Sequence, residues 1–222
     1  GFDAADAYSK TFAATDLSAP APKLRIGVPD AASIEFYGDG VQADAFQRDC
    51  QRLTEMGAIV ENIDFTPLFQ IADMLYQGAW VAERYTVIDA LLTHDPDALF
   101  PVTREIIGEA QNMSAAQAFQ GFYRLADLKR RAAPILSDLD MLCVPTIPRF
   151  YTVSDLAADP IGPNARLGRY TNFVNLLDMC GIVVPTAARC DGRPGSVTLL
   201  STSGRDTDIA GIARQFEADC PR

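Results

Sequence analysis

The sequence predicts an α/β protein with a mixed, largely parallel sheet covered by helices on both faces. Three observations carry that expectation. Residues 24 to 64 read as strand, helix and strand, a unit whose right-handed crossover makes its two strands parallel. Two later apolar runs, Asp140 to Pro145 and Gly181 to Pro185, lack the alternation of a half-solvated strand and suit strands covered on both faces. The segments around them place apolar residues at helical spacing.

Taken in order, Ser18 to Pro22 reads Ser-Ala-Pro-Ala-Pro, a stiff extended stretch, so residues 1–22 are expected to be a connecting arm and residues 23–222 the folded part. Leu24, Ile26 and Val28 alternate as a strand that Pro29 ends. Val41, Phe46, Cys50, Leu53 and Met56 mark a helix, with Gly57 placed for a left-handed cap. Ala58 to Asp64 is the second strand. Thr66 and Pro67 should open one long helix running to about Leu92, with Leu68, Ile71, Leu75, Ala82 and Tyr85 on its buried stripe. His94-Asp95-Pro96-Asp97 breaks it. Ser114 and Gln117 form a capping box for another helix with Phe122, Leu125 and Leu128 inward, which Pro134 should kink or end. A Pro- and Gly-containing loop then leads to a helix in Tyr170 to Asp178. Ser196 to Leu200 is a last strand, and Asp206 caps a closing helix to about Ala218.

Composition narrows the function. The 222 residues carry a formal charge of −10, and only Lys10, Lys23 and Lys129 of the nineteen basic residues are lysines. No basic stripe exists to neutralise phosphates, which excludes nucleic acid and an anionic membrane as partners. Apolar runs are too short to span a bilayer. The five cysteines include no Cys-x-x-Cys pair, which argues against a zinc site or a disulfide framework and for a reducing, cytoplasmic setting.

There is no Gly-x-Ser-x-Gly elbow, no Gly-rich phosphate loop and no His-Glu-x-x-His. The one histidine, His94, reads as a helix-end residue. Cys143 and Cys180 lie in apolar runs and read as core. Asp138 and Asp140 suit a solvated turn. That leaves Tyr76, Trp80 and Arg84. On a continuous helix, Tyr76 and Arg84 lie about 80° apart around the axis and roughly 12 Å apart along it, with Trp80 between them. The arrangement reads either as an Arg-on-Trp pair at the core edge or as an anion site in which the Arg fork and the Tyr hydroxyl hold a small carboxylate.

Four segments, in order, resemble the C-terminal half of the amidase signature family. They are Leu-Arg-Ile-Gly-Val-Pro from residue 24, Asp-Met-Leu-Cys-Val-Pro-Thr-Ile-Pro from 140, Gly-Arg-Tyr-Thr-Asn-Phe-Val-Asn-Leu-Leu-Asp-Met-Cys-Gly-Ile-Val-Val-Pro from 168, and Arg-Pro-Gly-Ser-Val-Thr-Leu-Leu from 193. Within that family, Leu-Tyr-Gln-Gly-Ala-Trp-Val-Ala-Glu-Arg-Tyr and Tyr-Thr-Asn-Phe-Val-Asn-Leu-Leu-Asp are most similar to allophanate hydrolases. The resemblance implies that residues 23–222 form part of the amidase-signature fold. It also implies that Tyr76 and Arg84 bind the carboxylate of a small carboxylated amide, allophanate, with a biuret-like amide as the alternative. A noncatalytic module binding small acids is a further alternative. Thr171 and Asn172 could line the same cleft or serve a helix start.

The family acts through a Ser, a second Ser and a Lys in an N-terminal Gly-Gly-Ser-Ser-type stretch, and this sequence has neither a Gly-Gly nor a Ser-Ser dipeptide. No catalytic residue is therefore assigned here, and the expected partner is the N-terminal half of the domain, alongside the homodimer common in the family. The chain alone is expected to be inactive. No metal or organic cofactor is implied. The implied setting is the breakdown of urea- or triazine-derived nitrogen downstream of a biotin-dependent carboxylase.

Overall fold

A computed structural model describes residues 2–12 and 23–218. Its sheet has the order β2-β1-β3-β5-β4, with β1 Arg25–Pro29, β2 Ile59–Ile63, β3 Met141–Pro145, β4 Met179–Thr186 and β5 Gly195–Thr202. β1 pairs in parallel with β2, Arg25 opposite Ile59, and with β3, Ile26 opposite Met141. β5 is antiparallel to both β3 and β4. Four strands therefore share one direction and β5 alone opposes them, the mixed, largely parallel sheet that the sequence predicts.

The helices are α1 (Gly40–Glu55), α2 (Thr66–Gln77), α3 (Trp80–His94), α4 (Pro101–Gly108), α5 (Ala115–Ser137), α6 (Val153–Ala158), α7 (Gly162–Leu167), α8 (Asn172–Leu176) and α9 (Asp206–Ala218). Because side chains alternate along a strand, β3 feeds two cores. Leu142 and Val144 join Leu68 and Ile71 of α2, Leu128 of α5 and Phe173 of α8 on one face. Met141 and Cys143 join Phe46 and Leu53 of α1 with Ile212 and Phe216 of α9 on the other. All five β3 residues are buried, as its apolar run requires. Each such large side chain contributes about 1.5–3 kcal/mol, so this strand anchors both layers.

Several expectations are corrected. β4 is the sheet's edge, with Gly181, Val183 and Pro185 exposed, so its apolar run is covered on one face only. The long helix expected from Thr66 to about Leu92 is two helices. Asp64, not Thr66, supplies the oxygen at the start of α2, accepting from Thr66 N–H at 2.8 Å. The capping box at Ser114 and Gln117 is present, but Pro134 lies inside α5, which continues to Ser137. Phe122 is exposed while Leu125 and Leu128 are buried. The expected loop after β3 contains α6 and α7. Most of the expected arm, residues 13–22, lies outside the described residues; residues 2–12 contain turns, with Lys10 ion-paired to Asp178.

Polar residues are also buried in this core. Arg189, in the β4–β5 loop, is 3% exposed and its NH2 reaches Asp39 at 3.0 Å and Asp191 at 2.9 Å. Its NH1 donates to Gln42 Oε1 at 2.7 Å, and its plane lies 4.6 Å from the Phe150 ring centre. Asp39 is the N-cap of α1, accepting from Gln42 N–H, and it also accepts from Phe150 N–H. Burial pulls its carboxyl upward, but these hydrogen bonds and Arg189 hold it below the usual carboxylate range. Replacing Arg189 with Met leaves Asp39 and Asp191 without their shared cation, so chemical denaturation should show a loss of about 3–5 kcal/mol.

Asp49 of α1 is buried and accepts from Thr186 Oγ1 at 3.0 Å. Burial pushes its carboxyl up to about 6, against the pull of Thr186, Arg48 and Arg52. A carboxyl raised on folding binds its proton more tightly in the folded than in the unfolded chain, so stability falls as pH rises through that window. Between pH 4 and pH 6 the loss should be roughly 2 kcal/mol, and Asp49→Asn should flatten that slope in denaturation measured across the range.

Candidate functional site

The break between α2 and α3 falls at Gly78, whose φ of −145° and ψ of −162° are extended. Glycine's low helix propensity permits the break, and packing explains its position. A Cβ on Gly121 of α5 would meet the Cβ of Ala79 at 2.6 Å, so α5 approaches the chain here as closely as it can. The break redirects α3 and removes the continuous stacking expected of Tyr76, Trp80 and Arg84.

Tyr76 and Arg84 nevertheless meet. The Arg84 guanidinium lies 4.5 Å from the Tyr76 ring centre, one residue near the end of α2 and the other in the second turn of α3. Tyr76 is 49% exposed, and no hydrogen bond or ion pair among the described residues engages either polar group. Trp80 takes no part. It turns toward α5 and meets Phe122 edge-on at 5.6 Å. The expected Arg-on-Trp pair is thus an Arg-on-Tyr pair. Stacking covers one face of the guanidinium, while its N–H edge has no protein partner among the described residues.

A second guanidinium stack stands on the same helix. Arg169 lies 4.0 Å from the Phe69 ring centre and flanks a cavity of about 190 Å³, lined also by Tyr37, Asp73, Arg166 and Asn172 among others. Arg166 stacks 5.1 Å from the Tyr37 ring. Tyr170, fully buried between them, accepts from Glu35 N–H at 2.7 Å and donates to Glu35 C=O at 3.0 Å, which fixes the loop bearing Tyr37. Burial pushes the Tyr170 phenol up, while the Glu35 N–H and neighbouring Arg169 oppose it. Asn172 does line this cavity. Thr171 precedes α8 but makes no side-chain capping bond.

The other sequence candidates do not assemble. His94 is an exposed end of α3. Cys143 is buried, and its contact with Cys50 together with burial pushes its thiol well up, which suppresses the reactive thiolate. Asp140 is structural: its carboxylate accepts from Arg25 N–H at 2.8 Å and its carbonyl from Ser201 and Arg205. Among the described residues, no cluster of three His, Cys, Asp or Glu side chains could hold a metal. No described helix is long and apolar enough to cross a membrane. Arg166 and Arg169 went unnoticed in the sequence, where only the spacing of arginine and aromatic residues could have marked them.

The fold and the sequence together match a known family. The model described as Amidase matches residues 3–209, and the chain belongs to that family. Its relatives narrow the class. Over 213 residues the chain is 34% identical to the urea amidolyase of Saccharomyces cerevisiae, an alignment covering 95% of this chain and 12% of that protein. The Kluyveromyces lactis allophanate hydrolase structure superposes with a TM-score of 0.89 at 33% identity, over 94% of this chain and 34% of that one. The Kluyveromyces lactis urea amidolyase structure gives 0.92 at 32% identity, over 97% of this chain and 13% of that one. The chain thus spans about a third or less of each of these relatives.

Trp80 is the only tryptophan and reports on the helix break. Gly121→Val adds branches where a single Cβ already collides with Ala79, so α3 should be pushed away from α5. The expected readout is a red-shifted Trp80 emission with far-ultraviolet helicity retained; an unchanged emission would show that the α5 contact does not set the break.

Proposed function

We propose that this chain supplies the substrate-carboxylate wall of an allophanate-hydrolase-like amidase, with Tyr76 and Arg84 as the clamp. The observation that carries the reading is the open-edged stack of Arg84 on Tyr76. The guanidinium stays charged at any physiological pH, and its fork matches a carboxylate bidentately. The Tyr76 hydroxyl adds a third donor at one side. Allophanate offers one carboxylate beside amide carbonyls, so the clamp orients the amide end toward whatever attacks it. A neutral amide would leave Arg84 desolvated and unpaired, a penalty that favours the anion.

In this reading the nucleophile and its proton relay come from the part of the domain that bears the family's Ser, second Ser and Lys. Attack on the terminal amide carbonyl breaks its C–N bond and releases one ammonia; water then hydrolyses the acyl-enzyme to an N-carboxylated carbamate, whose breakdown gives two carbon dioxide and the second ammonia. Lys10, Lys23 and Lys129 of this chain take no part. The free thiols of Cys50, Cys143, Cys180 and Cys190 support a cytoplasmic setting. Nitrogen recovery from urea is the corresponding process.

The test is steady-state kinetics of the complete enzyme. Arg84→Leu should raise KM for allophanate about a hundredfold, and Tyr76→Phe about tenfold, with hydrolysis of a neutral amide such as propionamide unaffected. Full retention of allophanate KM in Arg84→Leu would remove the clamp; loss of neutral-amide turnover in parallel would point to a misfolded site rather than a specificity defect.

A further inference from the structure

The cavity at Arg169 is a second place where this protein can hold an anion, set apart from the Tyr76–Arg84 pair. Phe69 and Tyr76 are seven residues apart on α2, which puts them within about 20° on one face but roughly 10 Å apart along the axis. Each carries one stacked arginine. The two stacks thus follow one another along one helix face.

Three features mark the Arg169 cavity as built for a ligand. The Arg169 side chain bonds toward the Tyr170 phenol, yet its buried Nε has no hydrogen-bond partner. Asn172, whose amide makes no hydrogen bond among the described residues, lies so tightly over Gly168 that a Cβ there would sit 2.2 Å from its Oδ1. Glycine at that position thus admits the amide to the cavity wall. Finally, the cavity stands beside the loops that follow β1 and β3, at the carboxyl ends of parallel strands, where α/β sheets place their ligands.

We infer that the cavity formed by Arg166, Arg169, Asn172 and Tyr37 binds a small monocarboxylate. Charge selects the class. Two guanidiniums line the cavity beside the single lining carboxylate of Asp73, with Asp159 also acting on Arg166, a small positive balance that suits one monoanion and that a polyphosphate would overshoot. The planar Arg169 fork, already covered on one face by Phe69, fits a planar carboxylate, and the Asn172 amide supplies a neutral donor beside it. The about 190 Å³ of space admits a molecule of only a few heavy atoms.

The full chain, labelled at arginine nitrogen, tests this by titration with acetate while the Nε–H resonances of Arg169 and Arg84 are followed by nuclear magnetic resonance. Acetate should shift the Arg169 signal saturably, with acetamide leaving it in place, and the shift should persist in Arg84→Leu. Asn172→Asp puts a carboxylate into the cavity from the protein itself. It should raise the thermal midpoint and weaken acetate binding at Arg169 about tenfold or more, while the Arg84 response remains. An Arg169 signal that does not move, or one that moves only together with Arg84 and is lost in Arg84→Leu, overturns the second site. Because the Arg84 response is read separately, failure of the clamp at Tyr76 and failure of this site give different patterns.

Discussion

Among the described residues, Arg189 is the buried guanidinium that joins three separate loops. Asp39 arrives with the segment after β1, Phe150 with the segment after β3, and Asp191 with the turn between β4 and β5. Ile34 and Phe36 pack the segment after β1 onto the core, and this charge cluster ties that segment to the other two. Tyr37 lies two residues before Asp39, and its carbonyl accepts from Arg149, next to Phe150, at 2.7 Å. The Tyr37 side of the Arg169 cavity is held through that chain of contacts together with the Tyr170 bonds to Glu35.

The break at Gly78 places Arg84 on Tyr76 as the Arg189 cluster helps to place Tyr37. On an unbroken helix, Arg84 would project along the axis of α2 and Trp80 would stand between it and Tyr76. Redirection of α3 swings Trp80 onto Phe122 and brings Arg84 down onto the phenol. The indole then seals the α3–α5 seam. One backbone irregularity separates the packing residue from the two that remain open to solvent.

The strands and most helix boundaries were legible because local signals and burial agree there. Pro29 and Pro145 end strands, Ser114 and Gln117 cap α5, and the run at β3 is apolar because both its faces are covered. The break in α2–α3 was not legible, since its cause is Gly121, more than forty residues away and unmarked among ordinary helix residues. Arg189 escaped for the same reason: Asp39 is 150 positions distant. Gln42 and Asp49 sit on the buried face of α1, where a reading by hydrophobic spacing counts only Val41, Phe46, Cys50 and Leu53. Residue type and spacing drew Tyr76 and Arg84 together in the sequence, although the geometry that joins them differs from the helical stacking expected.

The protein as a whole is acidic, with a formal charge of −10, and so repels the anions that its arginines are suited to hold. At physiological ionic strength that repulsion fades within about 8 Å, whereas a guanidinium stacked on a ring acts at contact distance. Stacking also limits what the charge can do. Phe69 and Tyr76 cover one face of each guanidinium, so an anion must approach along the N–H edge in the plane of the fork. That geometry admits a carboxylate and disfavours a hydrated spherical anion, which gains nothing from a planar fork. In the proposed reading, therefore, the stacks act at contact distance, where the screened net acidity of the surface no longer opposes an anion whose shape suits the exposed edge.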